Sequence, residues 1–181
     1  MENGNTRAAE DRGNVRRIVM TGLLAALTCV ATMIIKIATP TGGYVNLGDT
    51  MVLLSAYLLG PVYGALAAGI GSALADLLNG YLAWVPATLV IKAAMALVAA
   101  LVYKKLGHSF SGLLVCGVIG EIIMVVGYWL FESWMMNSFS GAAVGIPANM
   151  VQAAFGLVAA TLLATALRKS GYVRREFPEF E

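Results

Sequence analysis

The chain has 181 residues, 59% of them hydrophobic and 12% charged, with a formal net charge of +2. Soluble domains carry about 25% charged residues, so half the usual charge is missing, and the mean hydropathy of +0.79 points to an integral membrane protein. The small net charge gives no footing for a nucleic-acid role, the lack of a GxxxxGK[ST] loop excludes P-loop ATP hydrolysis, and the length leaves no room for a transporter with its own ATPase.

In chain order, the sequence predicts an all-α protein of six transmembrane helices. Residues 1–14 are polar and read as a loosely ordered cytoplasmic segment. A transmembrane domain follows over 15–168, then a cytoplasmic tail over 169–181. The first helix covers 15–37. Its apolar run is too long for a signal-peptide core, and no small-residue cleavage site follows it. Gly22 and Ala26 form a small-xxx-small pair on this helix. Small residues let membrane helices approach closely, so the pair either packs inside the chain or docks a partner.

Residues 38–50 read as a loop, broken by Pro40, Gly42 and Gly43, with Tyr44, Asn46 and Asp49 as its polar groups. It can cap a binding cavity, and Asp49 with Thr50 can also cap the next helix. A short second helix spans 51–59 and turns at Gly60-Pro61. The third spans 62–79, and its two stripes of small residues (Gly60, Gly64, Ala68 and Ala65, Gly69, Ala73) predict a central position. Gly69-Ile70-Gly71-Ser72 faintly resembles an intramembrane-protease serine motif. No helix supplies a histidine to activate that serine, so the motif is rejected.

A loop at 79–84 carries Tyr81 and Trp84, either interfacial anchors or faces for a planar ligand. The fourth helix covers 85–103 and places Lys92 about 10 Å below its outer end. A lysine at that depth needs an anion or a polar cavity. Asp76 lies at a comparable level and is its candidate partner. His108, the one histidine, sits in a polar turn with Lys104 and Lys105. The fifth helix covers 110–131, with Glu121 near mid-membrane and Tyr128 on the same face. Glu132 follows, then a loop to 143. The sixth covers 144–167 and brings Asn149 and Gln152 to one face. Cys29 and Cys116 are read as small packing residues, and no metal motif is present.

Ten of the twelve Lys and Arg residues fall at the termini or in the loop after the fourth helix. The positive-inside rule makes that side cytoplasmic. Asp49, Asp76, Lys92, Tyr128, Glu132, Asn149 and Gln152 then all lie toward the outside, with Glu121 the deepest. That clustering predicts an outward-facing polar cavity. An internal polar network that only braces the bundle is the alternative, but such contacts average about 0.6 kcal/mol each.

Asn46-Leu47-Gly48-Asp49, Gly60-Pro61-x-Tyr63-Gly64, Gly71-Ser72-Ala73-x-Ala75-Asp76, Gly80-Tyr81 and Pro86-Ala87-Thr88-Leu89-x-Ile91-Lys92 together resemble the S components of energy-coupling factor (ECF) vitamin transporters. Gly127-Tyr128, Glu132 and Pro147-x-Asn149-x-x-Gln152 extend the resemblance to the branch that includes riboflavin, hydroxymethylpyrimidine and pyridoxine carriers. The resemblance implies a non-enzymatic substrate-binding subunit without a cofactor, partnered by a transmembrane coupling (T) subunit and two cytoplasmic ATPases. It also implies that the whole subunit tips in the membrane to release cargo, and that Gly22 and Ala26 dock the coupling subunit, with glycine here replacing the family's first alanine. Binding-site residues expected on these grounds are Asn46, Asp49, Asp76, Tyr81, Trp84, Lys92, Glu121, Tyr128, Glu132, Asn149 and Gln152. A stand-alone proton-coupled carrier, with Glu121 and Asp76 as relay, is the rival reading.

Overall fold

In the computed structural model, residues 2–106, 109–177 and 180 are described; His108 lies outside them. The order is α1 (Glu2–Ile34), β1 (Lys36–Ala38), β2 (Tyr44–Asn46), α2 (Gly48–Leu78), α3 (Val85–Lys105), α4 (Phe110–Met136), α5 (Phe139–Ala142), a 3-10 turn (Ala143–Gly145), α6 (Ile146–Leu167) and α7 (Gly171–Glu176). Among the described residues, five helical stretches are long and apolar enough to cross a membrane: Gly13–Ile34, Gly48–Leu78, Val85–Lys105, Phe110–Met136 and Phe139–Leu167.

The 31-residue α2 is not straight. Gly60 takes φ 74° and ψ −170° inside it, a region open in practice only to glycine, and Pro61 follows. The chain folds back there. A Cβ on Gly64 would stand 2.7 Å from the Ser55 carbonyl oxygen, which places the two arms backbone to backbone. The sequence puts its turn at the same dipeptide. The second arm is central, as the small-residue stripes predict: Gly69 lies under Leu89 and Ala93 of α3, and a Cβ on Gly71 would meet the Ala25 carbonyl oxygen of α1 at 2.4 Å.

Three expectations fail. The segment read as loosely ordered is helical from Glu2, because its Ala, Glu and Arg residues are strong helix formers. The loop at 38–50 contains an antiparallel hairpin pairing Lys36 with Asn46 and Ala38 with Tyr44; Pro40, Gly42 and Gly43 shape its turn. Asp49 caps nothing with its side chain: the N-cap is Leu47, and it has no side-chain cap bond. Beyond these, α4 runs on to Met136 and ends at Asn137 in the left-handed conformation.

The two ends of the bundle differ chemically. At one end, Arg16 of α1 pairs with Glu176 of α7, Nη1 to Oε2 at 3.1 Å, and the Tyr103 hydroxyl meets Arg168. The hairpin closes the other end. Lys36 donates to the Asn79 side chain there at 2.6 Å, so both ends of α2 lie beside it.

Candidate functional site

The polar residues beneath the hairpin divide into a frame and a lining. Lys92 of α3 forms an ion pair with Asp49, which begins α2 and is fully buried. The Asp49 carboxylate sits in the first turn of its helix, where the backbone dipole favours negative charge. Gln152 of α6 donates to the other Asp49 oxygen at 2.6 Å, and its carbonyl accepts from the Asn46 backbone N–H at 2.6 Å. One amide thus ties the hairpin, α2 and α6 together. Lys92 Nζ also lies 5.4 Å from the Tyr128 ring centroid, a cation–π distance.

Two more bonds seat the hairpin. Tyr44 donates to Asp76 Oδ1 at 2.6 Å, and Thr41 donates to Glu132 Oε1 at 2.9 Å. Burial and the neighbouring Asp76 push the Tyr44 phenol above its ordinary pKa, so it remains a donor. The Tyr44 ring packs on Tyr81 at 4.5 Å between centroids, and Tyr81 meets Trp84 edge-on at 6.0 Å. These rings form an aromatic wall beside the hairpin.

Inside this frame lies a cavity lined by Thr32, Thr39, Gly43, Tyr44, Asn46, Ser72, Asp76, Trp84, Thr88, Lys92, Tyr128, Glu132, Asn149 and Gln152. Its envelope with the mouth included is about 430 Å³, at the small end of ligand sites. Only about 20 Å³ of it admits the centre of a water molecule, room for a water or two. A heterocycle enters only if the lining or the hairpin shifts.

Residues 12–169 match the model of the ECF-type riboflavin transporter S component family. The chain belongs to this family. A Pyrococcus woesei protein known as an uncharacterized protein in the gap 3′ region is 36% identical over 141 residues, 77% of this chain and 93% of that one. The thiamine precursor transporter HmpT of Lactococcus lactis is 25% identical over 164 residues, 89% and 93% of the two chains. A solved S component of a bacterial ECF transporter superposes with a TM-score of 0.66 at 20% identity, covering 86% of this chain and 97% of that one. At that identity the likeness speaks for the fold.

Of the residues expected at the site, this S component brings Asn46, Asp76, Trp84, Lys92, Tyr128, Glu132, Asn149 and Gln152 to the cavity. It sets three apart. Asp49 stands behind Lys92. Tyr81 backs the aromatic wall. Glu121 lies deeper, beside Asp49 across Gly156, where an added Cβ would meet Asp49 Cβ at 2.7 Å and Glu121 Oε1 at 2.8 Å. Asp76 was one candidate partner for Lys92, with separate contacts to a ligand left open; in the structure Lys92 holds Asp49, and Asp76 holds Tyr44. Depth along a helix made Asp76 the candidate; the direction of the side chain decides otherwise.

Thr32, Thr39, Ser72 and Thr88 were missed. A hydroxyl on a helix can bond its own backbone, as Thr32 does to the Thr28 carbonyl at 2.8 Å, so it gives no sequence signal of a cavity. Ser72 stands in the sequence as part of a family motif and of a rejected nucleophile motif, neither of which marks it as lining. Gly22 and Ala26 face outward on α1, and a Cβ on Gly22 would meet nothing within 4 Å. Among the described residues the pair therefore has no tight internal packing to satisfy.

Proposed function

We propose that this S component captures a small water-soluble vitamin or vitamin precursor, of the hydroxymethylpyrimidine, pyridoxine or riboflavin class, for ATP-driven uptake. The observation that carries the reading is the narrow polar cavity at one end of an otherwise apolar bundle, with aromatic faces and amide, hydroxyl and carboxyl groups converging on it. Asp76, Trp84, Lys92, Tyr128, Glu132 and Asn149 line it and meet the ligand; Asp49, Tyr81, Gln152 and Asn46 hold those groups in place. HmpT is named as a thiamine precursor transporter, which favours a small heterocycle over a large one.

In this reading the two arms of α2 cross separately, making six transmembrane segments in all. The Arg16–Glu176 end faces the cytoplasm by the positive-inside rule, and the cavity faces outward. A T subunit docks on the outward face of Gly22 and Ala26, where close approach costs nothing in internal packing. Two cytoplasmic ATPases complete the importer. The S component itself catalyses no reaction.

The test is native mass spectrometry of the purified chain, followed by uptake in cells with and without the ATPase subunits. A co-purifying heterocycle of vitamin size, with uptake that requires the ATPases and persists when an uncoupler collapses the proton gradient, supports the reading. Uptake by the chain alone that collapses with the uncoupler replaces it with the proton-coupled carrier.

A further inference from the structure

Glu121 of α4 has no role in the cavity beneath the hairpin. It is 4% exposed, and neither of its carboxyl oxygens has a hydrogen-bond partner among the described residues. A buried polar group without a partner calls for a reason. On one side Glu121 borders a groove between α4 and α6, lined otherwise by apolar residues such as Val118, Ile122, Ala153 and Leu157. On the other it meets α6 at Gly156, which has no side chain to offer. No residue of α6 is titratable.

What Gly156 admits instead is a second acid. A Cβ there would stand 2.8 Å from Glu121 Oε1 and 2.7 Å from Asp49 Cβ, so both acidic side chains close on one small notch. The titratable groups that face Glu121 are Asp49 and Tyr57 of α2 and Lys92 of α3. Lys92 is already spent. It forms an ion pair with Asp49 Oδ1, while Gln152 donates to Oδ2. Both Asp49 oxygens accept, as those of an ionised carboxylate do.

Charge then decides the state of Glu121. Asp49 and Lys92 cancel. An ionised Glu121 would leave one uncompensated negative charge inside a membrane bundle, beside another carboxylate. An isolated buried charge costs far more than the uptake of a proton, and two carboxylates that share one site do not both stay ionised.

We propose that Glu121 is a proton-binding site. The folded protein holds one proton on the carboxyl that faces Asp49 across Gly156, and the cluster of Asp49, Lys92 and Glu121 is neutral. The proton reaches beyond its own residue. Asp49 holds Gln152, and Gln152 accepts from the Asn46 backbone of the hairpin. Loss of the proton sets a second negative charge against Asp49 at the base of this chain, so the anchorage of the hairpin depends on proton occupancy. The proton site stands whatever ligand the cavity above it takes.

Infrared spectroscopy of the full chain in nanodiscs at neutral pH tests this directly, because a protonated carboxyl shows a C=O stretch that a carboxylate lacks. Isotope-labelled glutamate should shift that band, and Glu121→Gln, which keeps the shape and stays neutral, should remove the part due to Glu121. In labelled Glu132→Gln, Glu121 is the buried glutamate that remains among the described residues, and the shifted band should persist. A glutamate in the unfolded chain is ionised at neutral pH, so folding of the parent takes up a proton that folding of Glu121→Gln does not. The ratio of the parent's folding constant to the variant's should therefore fall about tenfold per pH unit from about pH 6 to about pH 8, read by unfolding in mixed micelles. A protonated-glutamate band unchanged by Glu121→Gln, or a ratio independent of pH, overturns the proposal. So does a missing band in labelled Glu132→Gln, an outcome that needs no folded Glu121→Gln.

Discussion

Neutralising Lys92 alone should damage this protein more than neutralising its ion pair as a whole. In Lys92→Met the ammonium disappears, while Asp49 stays fully buried with Gln152 as its remaining side-chain donor at 2.6 Å. Stranding one member of a buried pair costs about 3–5 kcal/mol. Asp49→Asn is milder. Its lysine keeps the Tyr128 ring at 5.4 Å, an interaction that reaches about 2 kcal/mol when desolvated. The double variant Asp49→Asn/Lys92→Met strands no charge and should fall within about 1 kcal/mol of the parent. The coupling energy is then about 2 kcal/mol or more, well above the roughly 0.5 kcal/mol expected of independent sites. Reversible unfolding in mixed micelles, followed by tryptophan fluorescence, measures all four corners of this cycle. Single-variant losses that simply add would refute the reasoning and return Lys92 to the role of a free cation awaiting ligand.

Gly22→Leu fills open space, so stability should change by no more than about 0.5 kcal/mol, while co-purification with the T subunit is lost; retained assembly would remove the docking role from this face. Gly71→Val drives a methyl-bearing carbon against the Ala25 carbonyl oxygen at 2.4 Å and should cost at least the 1–3 kcal/mol typical of overpacking, roughly, read as a lower midpoint in the same unfolding assay. A disulfide between Thr41→Cys and Gly145→Cys, in a background with Cys29→Ala and Cys116→Ala, joins positions where a Cβ on Gly145 lies 3.0 Å from Thr41 Cγ2. It should hold the hairpin shut, block ligand binding when oxidised and release it on reduction, because the enclosed space as it stands holds little more than water; unchanged binding in the oxidised form would show that ligand enters by another route.

The parts of this fold that were legible in the sequence are those set by the bilayer and by single residues with no substitute. Long uncharged windows announce the helices. Gly60-Pro61 announces the reversal, because no other pair takes φ 74° and then starts a helix so readily. Depth was legible too: it placed Asp76, Lys92, Tyr128, Glu132 and Asn149 at one level, and the structure brings them to one cavity. Facing was not. A periodicity tells which residues share a helix face, but not which helix that face meets, so Asp76 stood as a candidate partner for Lys92 and the Asp49 that holds it did not. The hairpin escaped because strands of three residues give no alternation to read, and Pro40, Gly42 and Gly43 look the same in a loop as in a hairpin turn.

The hairpin is also what separates the two kinds of polar residue at the site. Apart from the Lys36–Asn79 bond at its rim, its bonds to the bundle described above fall on groups that the sequence marks as ligand contacts: Asp76, Glu132 and Gln152. Taken singly, such bonds are worth too little to explain their presence in a membrane bundle. Taken together they fix a lid over the cavity from three helices, α2, α4 and α6. The same arrangement leaves Trp84 Nε1, Ser72 Oγ and the second Glu132 oxygen unspent. Glu132 belongs to both sets: it lines the cavity, and its Oε1 holds the lid through Thr41. A ligand that competes for this carboxyl therefore acts on the roof above it, so binding and hairpin position are linked through a single side chain.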